Sequence, residues 1–136
     1  MGNIHAVGEV VQITTDEVLA WNQIYRLSAQ VLGVEARLVH ISSDFLIACD
    51  PSLEGPLLGS KSVGVMFDNS KLKRMVPDFH AEIRYNQGVR RTVDYVLTHP
   101  EVQIPNPEFD QWCDDVIEAH SLGMQSFIAR HPRKYL

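Results

Sequence analysis

The sequence is poor in features that identify a function at sight. It has two cysteines, Cys49 and Cys113, which lie 64 positions apart with no CxxC spacing. That usage excludes a disulfide scaffold and predicts reduced, mostly buried thiols in a cytoplasmic protein. No apolar run approaches the ~18 residues needed to span a bilayer, so no membrane segment is expected. The opening MGNIHAVGEV lacks a basic stretch followed by an apolar one and does not read as a signal peptide. Positive charge is also short. Lys plus Arg is 12 against 17 Asp plus Glu, a net charge of −5, which argues against a dedicated nucleic-acid binder.

The motifs of several chemistries are missing as well. The six histidines show neither HxH nor HExxH spacing, so no metal site is expected; His80-Ala81-Glu82 is the nearest approach. No GxSxG occurs, and Cys113 falls mid-helix in an apolar stripe, where a thiol packs rather than attacks. Gly55, Gly59 and Gly64 fit neither GxGxxG nor GxxxxGKS, so the chain carries no nucleotide-binding fingerprint. The basic cluster Lys71, Lys73, Arg74, Arg84, Arg90 and Arg91 encloses Asp78 and Glu82 without interleaved aromatics. It reads as a solvated face, and nucleic acid as an improbable partner.

What is present is an ordinary apolar content of 45% in 136 residues, enough for a folded core. Glu9–Thr14 is β-branched and reads as a strand, with Thr14 and Glu17 as a capping box that starts a helix ending at Gly33. In that helix Trp21, Ile24, Tyr25, Ser28 and Leu32 form one stripe, flanked by Leu27 and Val31. Ala36–Ser42 reads as a second strand containing a half-buried His40, which completes a right-handed parallel βαβ unit. Ser42 or Ser43 caps a short helix ended by Pro51, and Pro51–Gly64 reads as a loop of about a dozen residues. VGVMF is a third strand, Asp68 caps DNSKLKRM, and AEIRY is either a strand or an extended lead-in. The next helix turns Val89, Val93, Val96 and Leu97 inward and stops at Pro100. The last begins near Pro107 or Glu108, with Phe109, Trp112, Cys113, Val116 and Ile117 inward.

The fold class expected is therefore α+β: a small parallel βαβ unit, further short strands and three to four packed helices. Residues 1–122 form one domain, and residues 123–136 are a tail with no assigned structure. Apolar residues Val11, Ile13, Leu57 and Leu58 are expected to be left uncovered, which points to self-association into a homo-oligomer.

Three motifs, in order, resemble the C-terminal part of the extended short-chain dehydrogenases/reductases, the NAD-dependent epimerase/dehydratase family. The first comprises Gly8, Val10 to Ile13, Thr14 to Glu17, Trp21 to Gln23, Leu32-Gly33 and Leu38 to Ile41. The second is an Asp-x-x-Lys helix with a following proline: Asp68, Lys71 and Pro77. The third is Gly88, Val89, Thr92, Val93 and Tyr95. The resemblance covers roughly residues 2–118.

It implies a substrate-binding part of an enzyme that moves a hydride on a sugar, a sugar nucleotide or another alcohol. The family's glycine-rich Rossmann motif and its Tyr-x-x-x-Lys pair do not occur here, so no catalytic residue is assigned to this chain. NAD(P) is implied for the intact parent, bound by a missing N-terminal Rossmann domain, with no cofactor held by this chain. Where the family often has an Arg-rich diphosphate grip, this chain has Gly59-Ser60-Lys61. These become the candidate substrate contacts, with Lys61 meeting an anionic group. A free-standing binding or regulatory module is the alternative from another class.

Overall fold

Ala20 begins the first long helix although its side chain cannot accept a hydrogen bond. Its backbone N–H instead donates to Gln23 Oε1 at 2.8 Å, which satisfies one of the unpaired donors of the helix start. This helix, α1, spans Trp21–Leu32 in a computed structural model that describes residues 4–132. Gly33 ends it with φ 74°, the left-handed value that glycine adopts without penalty. The expected box of Thr14 and Glu17 does not form. Thr15 Oγ1 accepts from the Glu17 N–H at 3.1 Å, making a local turn, and the helix starts later.

Five further α segments follow: α2 (Ser43–Cys49), α3 (Glu54–Pro56), α4 (Ser70–Met75), α5 (Tyr85–Thr98) and α6 (Pro107–Arg130). Ser42 Oγ accepts from the Phe45 N–H to cap α2, and Asn106 Oδ1 accepts from the Phe109 N–H to cap α6. Pro107 occupies the first turn of α6, where a missing N–H costs nothing. α6 runs on through Gly123 to Arg130.

The α+β expectation is overturned. Among the described residues there is no strand, and the parallel βαβ unit does not exist. The segments read as strands, at 9–14, 36–42 and 63–67, lie outside every helix yet form no ladder. A β-branched run becomes a strand only when a neighbour pairs its backbone groups. Here 9–14 is tied to α4 by side chains instead: Lys71 Nζ donates to the Val10 carbonyl at 2.8 Å, and Asn69 bonds Thr14.

The loop expected from Pro51 to Gly64 is helical over most of its length. A 3-10 turn at Pro51–Leu53 passes into α3 and then into a π turn at Leu57–Lys61. The π turn closes with the Ser62 N–H donating to the Leu57 carbonyl at 2.8 Å. Glycine and proline marked this stretch as irregular, but a proline in a first turn pre-sets a helical φ.

The chain divides into two units, each built from two stretches of sequence. The first takes in Met1–Arg37 and Val65–Gln103, the second Leu38–Gly64 and Ile104–Leu136. In the first, α1 lies against α5, and Ser28 Oγ and Tyr85 Oη share a hydrogen bond of 2.9 Å. The inner face of α1 is Ile24, Leu27, Ser28 and Val31, whereas Trp21, Tyr25 and Leu32 stay exposed. On α5 the inward set is Val89, Val93 and Val96, and Leu97 faces water. In the second unit Val116 is buried, Trp112 and Cys113 are half-buried, and Phe109 is exposed. Phe45 meets His120 edge-on at 5.4 Å, and His120 Nδ1 is buried with no hydrogen-bond partner among the described residues.

The cores are shallow. Leu72 at 7% and Val116 at 6% exposure are the only buried apolar side chains among the described residues. Each unit leaves large apolar side chains exposed, Val10, Ile13 and Met66 in the first and Leu58, Phe127 and Ile128 in the second.

Candidate functional site

One concavity of the first unit grows from the contact between residues 14–19 and the start of α4. Asn69 makes that contact. It is 5% exposed, and its Oδ1 accepts from the Thr14 N–H at 3.2 Å. Its Nδ2 donates to the Thr14 carbonyl at 2.6 Å and to Asp16 Oδ1 at 3.2 Å. A primary amide carries both donors and an acceptor, so this side chain replaces a pair of ladder hydrogen bonds. A cleft of about 350 Å³ opens beside it. Val18, Leu19, Ile24, Val65, Met66 and Phe67 supply apolar walls, with Thr14, Thr15 and Tyr85 among the polar residues lining it.

Three carboxylates also line the cleft, and each is held by a neighbour. Asp16 Oδ2 accepts from Lys73 Nζ at 2.7 Å. Glu17 Oε2 accepts from the Tyr85 N–H at 2.8 Å, which ties the cleft to the start of α5. Asp68 Oδ1 accepts from the Ser70 N–H at 2.8 Å and the Ser70 hydroxyl at 2.6 Å. Asp68 thus serves the first turn of α4 from one residue before its Asn69 N-cap position.

Hydrogen bonds from Lys73 and Asn69 hold the Asp16 carboxyl below the ordinary aspartate range, and those from Ser70 do the same for Asp68. Outside the cleft, Lys71 lowers the pKa of Glu9 through a 2.7 Å ion pair. Asp16 and Asp68 thus stand at the cleft as carboxylates already engaged by hydrogen-bond donors. The arrangement suits holding a small molecule against apolar walls with hydroxyls near it.

The linkage to stability has a definite sign. Glu9, Asp16 and Asp68 have folded-state values below those of the unfolded chain, so their contribution is complete above about pH 4–5 and is lost as pH falls through the lower folded values. Thermal melts should show a lower Tm near pH 3 than near pH 6, with a flatter profile for Asp16→Asn. An unchanged profile in that variant would mean that Asp16 is not the group being titrated.

The sequence-predicted contacts lie elsewhere. Gly59, Ser60 and Lys61 are exposed on the π turn of the second unit, and Ser60 Oγ donates to the Pro56 carbonyl at 3.1 Å. They belong to the second unit, whereas the residues that line the cleft belong to the first. Two of the clustered cations have partners, with Lys71 on Glu9 and Lys73 on Asp16, each at 2.7 Å. His40 is exposed rather than half-buried, and so is Cys49. Cys113 is half-buried; desolvation first, then Asp110 and Asp114, push its thiol pKa up, as befits a packing thiol. Asn69 escaped the sequence reading, although an asparagine wedged in Asp-Asn-Ser before a helix was the available signal. No family model, curated protein or solved structure matches the chain.

Proposed function

We propose that this chain is the substrate-binding part of an NAD(P)-dependent epimerase, dehydratase or reductase whose cofactor-binding part lies outside it. The observation that carries the reading is where the three motifs fall. Gly8 to Gly33, Asp68 to Pro77 and Gly88 to Tyr95 are scattered in sequence but belong to one unit, while Leu38 to Ile41, the last piece of the first motif, belongs to the other. In the first unit the Asn69–Thr14 and Lys71–Val10 hydrogen bonds join the first motif to the second, and Tyr85, three residues before the third, bonds Glu17 and Ser28. The architecture is helical, so the reading rests on this convergence and on the motif residues, not on a shared sheet.

The residues present do not fit the cofactor. A dinucleotide's pyrophosphate sits where a glycine turn after a strand opens a helix. Among the described residues no strand exists, and the two glycines of positive φ do neither job: Gly8 follows a 3-10 turn and Gly33 ends α1. NAD(P) accordingly belongs to the other part.

Uncovered side chains in the first unit supply a face for that part. Val10 is 85%, Ile13 70% and Met66 76% exposed, all on or next to segments that flank the cleft. A docked part that covered these side chains would remove them from water. Gly59, Ser60 and Lys61 stay the proposed substrate contacts, since π turns recur at functional sites and Lys61 offers a cation for an anionic group; the cleft of the first unit is a separate candidate, described by itself. The reading frame immediately upstream of the codon for Met1 tests the proposal. A frame coding for a glycine-rich strand–turn–helix and a Tyr-x-x-x-Lys pair is expected; a frame with no such coding capacity there or elsewhere in the genomic neighbourhood would count against it.

A further inference from the structure

Residues 9–16 lie beside α4 in the first unit, outside every helix. Among the described residues, no backbone-to-backbone hydrogen bond involves residues 10–16. Three side chains at α4 hold the segment instead. Lys71 pairs with Glu9 at 2.7 Å and donates to the Val10 carbonyl at 2.8 Å. Asn69 bonds both backbone groups of Thr14 and the Asp16 carboxylate, and Lys73 pairs with Asp16 at 2.7 Å. Apolar burial adds little, because Val10 and Ile13 are exposed and Val11 is only half-buried. A segment tied this thinly opens before the body of its unit does. Gly8, with φ 79°, bounds it on one side, and Glu17, fastened to the Tyr85 N–H at 2.8 Å, bounds it on the other. We propose that residues 9–16 form a strap that swings away from α4 between these two points in a minor state of the first unit, and that ionic strength sets how often it does.

The two kinds of tie respond differently to salt. Both ion pairs are at the surface, with side chains 42–61% exposed, so dissolved ions reach and weaken them. The screening length falls from about 10 Å at 0.1 M salt to about 3 Å at 1 M. Asn69 is neutral and buried, and its bonds to Thr14 persist in salt and seat the strap again after each opening. Thr14, Thr15 and Asp16 line the cleft, so each opening takes away one of its walls and widens the way in. The lysines thus tune an equilibrium whose closed state the amide defines, whatever molecule the cleft holds.

Amide hydrogen exchange followed by NMR tests this, because the Thr14 N–H has one partner, Asn69 Oδ1 at 3.2 Å, and exchanges when the strap opens. Thr14 should be protected, yet less so than amides in the middle of α1 such as that of Leu27, which wait for a larger opening. Raising salt from 0.1 M to 1 M should lower the protection of Thr14 at least twofold relative to Leu27. Lys71→Met and Lys73→Met should each lower it about two- to fivefold at 0.1 M salt, with smaller effects at 1 M. Both lysines are exposed at their tips, so these variants are expected to keep the helical circular-dichroism spectrum of the parent. Three results would overturn the proposal. The Thr14 amide exchanging no faster than that of Leu27 means that the segment leaves only when the whole unit unfolds. Exchange at the rate of an unprotected amide means that it is not seated at all. Protection unmoved by salt and by both variants means that the lysines do not hold it.

Discussion

Asn69→Ala is expected to be the most damaging single substitution in the first unit. The side chain is 5% exposed and satisfies both the N–H and the carbonyl of Thr14. Truncation removes those bonds and leaves part-buried backbone groups without partners, at about 1–3 kcal/mol for each group left unsatisfied. A loss of about 2–4 kcal/mol follows, on the assumption that water reaches part of the gap. Asn69→Asp sharpens the test. It keeps an acceptor for the Thr14 N–H but loses both donors and adds a carboxylate beside Asp16, 3.2 Å from the present amide nitrogen. It should be at least as destabilising as alanine near neutral pH and recover partly in acid, as the new carboxyl is protonated. Urea melts of the two variants measure this; an aspartate variant as stable as the parent would show that Nδ2 contributes little.

Leu72→Ala should follow closely. Leu72, at 7% exposure, is the one buried apolar side chain among the described residues of the first unit. Leucine-to-alanine changes in cores cost about 2–5 kcal/mol, more where the cavity cannot collapse. In so shallow a core the surroundings can close in, so about 2 kcal/mol is expected, read as a lower urea midpoint at unchanged slope. The comparison with Met66→Ala is informative, because Met66 is 76% exposed and its truncation should change stability by less than about 0.5 kcal/mol. If both variants melt alike, burial at Leu72 is not what holds α4 in place.

These two residues also show what the sequence could reveal. Helix ends were legible where the signal is local: Gly33 after α1, Ser42 before α2 and Pro107 at the start of α6 each act within three residues of themselves. Strands were not legible. The alternation in Glu9–Thr14 and Ala36–Ser42 describes a surface that could pair, and pairing depends on a neighbour the local pattern does not specify. The stretch from Pro51 to Gly64 misled in the opposite direction, since its prolines begin helical turns as readily as they break them. The helix stripes were displaced for a related reason. Trp21 and Tyr25 are the larger apolar residues of α1, yet the face against α5 is Ile24, Leu27, Ser28 and Val31. Asn69 contacts Thr14 and Asp16 across 55 and 53 positions, and no window of local sequence reports such a tie. Gly59, Ser60 and Lys61 were placed by resemblance alone, and nothing local to them pointed to the cleft beside Asn69.

The central claim is that this chain carries substrate-binding surface while cofactor binding resides in a separate part. Calorimetric titration with NAD measures it directly, first on the chain alone and then on the chain co-expressed and co-purified with the polypeptide encoded upstream of it. The account predicts no heat of binding for the chain alone and a micromolar dissociation constant for the pair. Micromolar binding of NAD by the isolated chain would contradict it.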